Sequence, residues 1–111
     1  MTKTELSEIL HGLSIPVDEG ISSEESGYPR IVYWPYAEKD IVASGEEYKN
    51  RVTYQISLYA KMPQCEKYKE LREVLRAKGI HPEYYHEYVE KDPIYSCKWH
   101  TYFALEVIED V

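Results

Sequence analysis

Only two cysteines occur among the 111 residues, Cys65 and Cys97, and no C-x-x-C spacing accompanies them. A disulfide-stapled fold is thereby excluded, and each thiol reads as a reduced, partly buried small hydrophobe. Basic runs are equally scarce. Lys and Arg total 13 against 20 Asp and Glu, a net charge of −7. Nucleic-acid backbones are gripped by clustered cations, so direct nucleic-acid binding is not expected. The five glycines stand singly at loops and helix ends, which excludes a glycine-rich phosphate cradle. No apolar run approaches membrane-spanning length, and MTKTELSEIL lacks the basic and long apolar regions of a secretion signal. Synthesis in the cytoplasm, without a membrane partner, is the expectation.

Tyrosine is what the chain has in excess: twelve, against one Phe and two Trp. A tyrosine buries a large ring while keeping a polar tip, which suits half-exposed sheet faces and self-association surfaces alike. The length and the 43% hydrophobic fraction suit one domain, residues 1–111, built on a single core. The acidic surface mainly favours solubility.

The clearest pattern is RVTYQISLYAK, Arg51 to Lys61. Val52, Tyr54, Ile56, Leu58 and Ala60 alternate with Arg51, Thr53, Gln55, Ser57 and Lys61, with Tyr59 alone breaking the polar face. This predicts the central strand of an antiparallel sheet with one buried face. Upstream, Thr2 to Leu13 predicts a helix, opened by a Thr2-x-x-Glu5 capping box and striped by Leu6, Ile9, Leu10 and Leu13. His11 and Gly12 mark its end, and His11 reads as a cation there. Ile15 to Val17 is a short extended segment, and Asp18 to Gly27 reads as a mobile acidic loop.

Tyr28 to Trp34 predicts a strand with apolar residues on both faces, resuming over Tyr36 to Ala43 after a bulge at Pro35. Residues 36–61 then form a long hairpin with its tip at Ser44 to Glu47, reaching beyond the core. Pro63 to Lys78 predicts a second helix, with Pro63 in its first turn and Gly79 as its stop. Its buried stripe is Tyr68, Leu71 and Leu75, with Cys65 and Val74 alongside. Residues 83–91 and 94–109 predict a terminal hairpin turning at Asp92-Pro93. The fold class is α+β: an antiparallel sheet with long hairpins against two short amphipathic helices, in α-β-β-β-α-β-β order.

Visible chemistry is thin. His81, His86, His100 and Cys97 are the potential metal ligands, and His86 and His100 could face each other across the last hairpin. No short-spaced ligand pair supports them. Cys97 and His100 fall on opposite faces, which separates a nucleophile from its base. Cys65 lies near a helix N-terminus, where a thiolate is favoured, but no base is near it in sequence. Asp18, Glu19, Glu24 and Glu25 lack the fixed spacing of a calcium loop and read as solvated. Tyr84, Tyr85 and Tyr88 could stack bases, yet without flanking cations they suit a sheet surface or interface better. No catalytic residue, cofactor-binding residue or metal ligand is expected, and the chain is not expected to be an enzyme.

The whole pattern resembles the tail-terminator, or tail-completion, proteins of long-tailed bacteriophages, including prophage-encoded versions. The resemblance is carried by the N-terminal helix ending in LSIPV (Leu13 to Val17), the strand YPRIVYW (Tyr28 to Trp34), and the hairpin ending in YQISLYAK (Tyr54 to Lys61). The helix EKYKELREVL (Glu66 to Leu75) and the closing strand ALEVIEDV complete it. It rests on element order, length and hydrophobic pattern, not on an invariant motif. It implies a homo-oligomer, a hexameric ring, that caps the tail tube and joins tail to head without covalent chemistry. The implied partners are the chain itself, the tail tube and neck or connector proteins. The implied location is the host bacterial cytoplasm during assembly, then the tail and neck of the virion. From this sequence alone, Tyr36, Tyr48, Tyr54, Tyr59 and Tyr102 are the candidate interface residues. Two other readings stand beside it: another neck or head–tail connector component, and a small dimeric α+β ligand-binding or regulatory domain.

Overall fold

The computed structural model describes residues 1–20, 28–43, 46–89 and 99–110, apart from the side chains of 43, 46–48, 109 and 110. In chain order the elements are α1 (Lys3–His11), β1 (Val17–Glu19), β2 (Arg30–Ala43), β3 (Glu46–Ala60), α2 (Glu66–Ala77), β4 (Tyr85–Tyr88) and β5 (Trp99–Asp110). They make an α+β fold in the expected order, with one five-stranded sheet arranged β1-β2-β3-β5-β4.

The sheet is mixed, because β1 runs parallel to β2 with Val17 beside Ile31 and Glu19 beside Tyr33. The Ile31 N–H donates to the Pro16 carbonyl at 2.9 Å, and the Gly20 N–H donates to the Tyr33 carbonyl at 2.8 Å. Asp18 and Glu19 therefore belong to a strand and not to a mobile acidic loop. Both are tied down by side chains: Asp18 by Arg30 at 3.3 Å, Glu19 by Lys3 at 3.0 Å. The rest of the expected loop, 21–27, lies outside the described residues.

Helix α1 starts where Thr2 Oγ1 accepts the Glu5 N–H at 3.2 Å. Only half of the capping box forms, since the Thr2 hydroxyl also turns to the Glu5 carboxylate at 3.4 Å. Leu6, Ile9, Leu10 and Leu13 are all buried. In α2 the N-cap is Cys65, which makes no side-chain capping bond. Pro63 thus precedes the helix instead of opening it, and Gln64, at φ +46°, turns the chain into it. The helix closes with the Ile80 N–H on the Leu75 carbonyl at 2.9 Å and the Gly79 N–H on the Arg76 carbonyl at 3.0 Å. This two-bond closure needs a left-handed residue, and Gly79 supplies it at φ +76°.

Both helices pack on one face of the sheet. Leu6, Leu10, Tyr68, Leu71 and Leu75 join Ile31, Tyr33, Val52, Tyr54, Ile56, Leu58, Phe103, Leu105 and Val107 in a single cluster. Strand β3 is central, antiparallel to β2 on one side and to β5 on the other. The anticipated double coverage of β2 is also visible: Val32 on the second face is buried with Arg30 and Ser57, outside the main cluster.

Between Pro35 and Ala37 the β2–β3 register shifts, so the bulge falls on Tyr36, one residue after the expected position, while Pro35 still pairs with Tyr54. Beyond it the strands outrun the helices. The last buried layer is Val52 opposite Val107, yet pairing continues to Lys49 opposite Asp110 and to Ala43 opposite Glu46. The result is an arm extending a molecule that measures 53 × 28 × 22 Å. The open edge of β5 is partly capped, because the Ile108 N–H donates to the Met1 carbonyl at 3.0 Å.

Candidate interaction surface

Strand alternation divides the surface. Residues directly opposite in the register share a face, so the face with no helix among the described residues, the helix-free face, carries Tyr59 opposite His100 and Tyr85 opposite Tyr102. Their rings form one stacked row across three strands. Tyr59 to His100 is 4.7 Å between centroids at an interplanar angle of 6°. His100 to Tyr102 is 4.8 Å, and Tyr102 to Tyr85 is 5.3 Å. Near-parallel rings at these separations are in the favourable range for aromatic pairs. His100 is held by its Nδ1 hydrogen bond to Glu87 Oε1 at 2.8 Å.

The expected interface tyrosines separate accordingly. Tyr59 and Tyr102 lie in the row, and Tyr36 projects from the bulge at 58% exposure. Tyr54 belongs to the core: it is 3% exposed under the helices, its ring 5.9 Å from that of Tyr33. Its polar tip made it look like a surface residue, whereas its parity with Val52 and Ile56 puts it inside. Tyr48 has its backbone in β3, and its side chain lies outside the described residues.

His86 and His100 do not face each other. His86 pairs with Thr101 and Glu87 with His100, so the two histidines occupy opposite faces. A one-residue offset in register is enough to do this. His86 Nδ1 is hydrogen-bonded to Thr101 Oγ1 at 2.9 Å, and its ring stands edge-on to Tyr68 at 5.0 Å. Cys97, and the turn expected at Asp92-Pro93, fall outside the described residues. Asp18 and Glu19 point to opposite faces, Asp18 with Val32 and Glu19 with Tyr33. Glu24 and Glu25 are not described. Among the described residues no group of three or more His, Cys, Asp or Glu is placed to hold a metal ion.

Electrostatics at the base of α1 is shaped by Glu19. Its hydrogen bond holds the Lys3 ammonium pKa above the ordinary lysine value. Burial pushes the Tyr33 phenol up as well, and the nearby Glu19 charge adds to this. Between α1 and α2 runs a shallow groove floored by Ile9 and Val74 and rimmed by Glu5, Glu8, Glu70 and Lys78.

On the arm the shifted register sorts charge by face. Glu38 pairs with Val52 and Asp40 with Asn50, which places both carboxylates on the helix side. Lys39 pairs with Arg51, and Arg51 with Ile108, which places both cations on the helix-free side. Glu38, Lys39, Asp40 and Arg51 are all exposed. Sequence reasoning missed this sorting, although the alternation Glu38-Lys39-Asp40 carried the signal. It placed Tyr85 on a sheet surface or interface but did not join it to His100, because only the β4–β5 register brings the two into one row.

No family model matches the chain, and no curated protein matches it significantly. Among the described residues no helix is long and apolar enough to cross a membrane.

Proposed function

We propose that this chain is a structural protomer of the tail-terminator kind, which assembles on itself as a ring, caps a phage tail tube and joins it to the head. The observation that carries the reading is the arm. Strands of 14, 15 and 12 residues outrun the helices that cover the sheet, so beyond the Val52–Val107 layer no described side chain of the arm is buried within one protomer. Sheet extended past its own core is useful when a neighbouring subunit supplies the missing cover. Surface complementarity is then the whole mechanism, and the ring works by occupying the growing end of the tube. The helix order and strand lengths that resemble the terminator family support the same reading.

A second reading keeps a specific observation behind it. The stacked row Tyr59–His100–Tyr102–Tyr85 lies on the sheet face turned away from α1 and α2, and such an aromatic row suits sheet-to-sheet dimerisation of a small binding domain. The experiment that separates the two is a tube-growth assay. Tail-tube subunits of the phage or prophage encoding this chain are allowed to polymerise with and without it. Tubes that stop growing, and carry a ring at one end in negative stain, are the expected result. Unaltered tube length with a compact dimer in solution would favour the binding domain.

A further inference from the structure

The charge sorting on the arm specifies how copies would meet. We propose that the acidic helix-side face of one arm (Glu38, Asp40 and Val42) docks on the basic helix-free face (Lys39, Arg51 and Ile108) of a second copy, head to tail. The inference rests on the self-assembly reading above and adds to it the surface, the polarity and the pairing rule.

Among the described side chains of the arm the helix-side face carries only carboxylates, while the helix-free face carries Lys39, Lys49 and Arg51 beside one carboxylate, Glu106; each face also has an exposed apolar residue. Val42 is 60% exposed on β2 beyond Asp40, and Ile108 is 38% exposed beside Arg51. Within one protomer the arrangement is unfavourable. Lys39 lies directly across the strand pair from Arg51, a like-charge pairing that destabilises a sheet. Arg51 reaches Glu106 only at 3.9 Å, with both side chains exposed, and Lys39 makes no ion pair among the described residues. Glu38 and Asp40 stand two residues apart on one face and likewise form no ion pair there. Placing one face on the opposite face of a neighbour turns both like-charge placements into unlike ones, and covers Val42 and Ile108 together.

The two faces are the opposite sides of one ribbon. A two-fold dimer joining like faces would set carboxylates against carboxylates, or a face rich in cations against its own kind. Only unlike faces attract, so every protomer uses one face to receive and the other to insert. Such a heterologous contact propagates around a closed ring, or into a filament if the rotation does not close.

Complementary charge reversal tests this. One variant carries Glu38→Lys and Asp40→Lys; the other carries Lys39→Glu and Arg51→Glu. Circular dichroism melting verifies that both fold, which their exposed positions favour. Sedimentation velocity is then run on wild type, on each variant and on their equimolar mixture, at low and high salt. The expected result is that wild type self-associates, less so in high salt, and that each variant alone weakens association about tenfold or more. The mixture recovers the wild-type mass, because the reversed acidic face now matches the reversed basic face. Variants that associate as wild type does would overturn the arm contact and leave self-assembly standing. Loss of association without recovery in the mixture would overturn the unlike-face pairing. A wild-type chain monomeric at every concentration would overturn this contact and the assembly reading together.

Discussion

Arg30 is the residue on which the edge of the sheet turns. Its side chain is only 3% exposed, and Asp18, from the neighbouring parallel strand, reaches it at 3.3 Å. Removing the carboxylate leaves a buried guanidinium short of its charged acceptor. Asp18→Ala is therefore expected to lower stability by about 1.5–3 kcal/mol, the range for hydrogen bonds to charged groups. Urea denaturation measures it, and a change below about 0.5 kcal/mol would show that the Asp18–Arg30 pair does not hold β1 in place. Tyr33 gives a pH-dependent prediction. Burial raises its phenol pKa, and hydrogen bonding to Glu19 raises that of Lys3. Both groups hold their protons more tightly folded than unfolded, so their contribution is complete below about pH 10 and declines as pH rises above it. Stability should fall as pH rises above about 10, and less steeply in Tyr33→Phe; identical slopes would remove Tyr33 from the explanation.

At the scale of elements, the endings of α1 and α2 carry separate predictions. Gly79 closes α2 at φ +76°, where any Cβ is strained, so Gly79→Ala should cost about 1 kcal/mol even though open space surrounds the position. Thermal melting checks this, and an unchanged Tm would mean that the closure relaxes without loss. Thr2→Ala should also cost about 1 kcal/mol, because it removes the acceptor for the Glu5 N–H. Strand β3 and both helices were legible in the sequence because alternation and the helical stripe are local patterns that burial enforces. What was not legible depends on distant pairing. The parallel contact of β1 needs Arg30 and Ile31, more than ten residues further on. The opposite facing of His86 and His100 depends on the β4–β5 register. Charge sorting on the arm depends on the bulge at Tyr36, since one extra residue reverses the parity of Glu38, Lys39 and Asp40. Of the five tyrosines chosen from sequence, Tyr54 failed because its alternation outweighs its polar tip.

The whole molecule is a helix-covered sheet with an arm that its own core does not cover. Its surface leaves Lys39 opposed to Arg51, and Val42, Ile108 and Tyr36 exposed, which is the basis of the proposed contact with a neighbouring copy. Self-assembly through that arm is the proposal to be tested. Light-scattering mass over a concentration series, with negative-stain imaging of the heaviest fraction, tests it most directly. A concentration-dependent rise to a closed ring, shifted back toward protomers by salt, is the expected result. A single monomeric mass across the whole series, with no rings in the images, would contradict it.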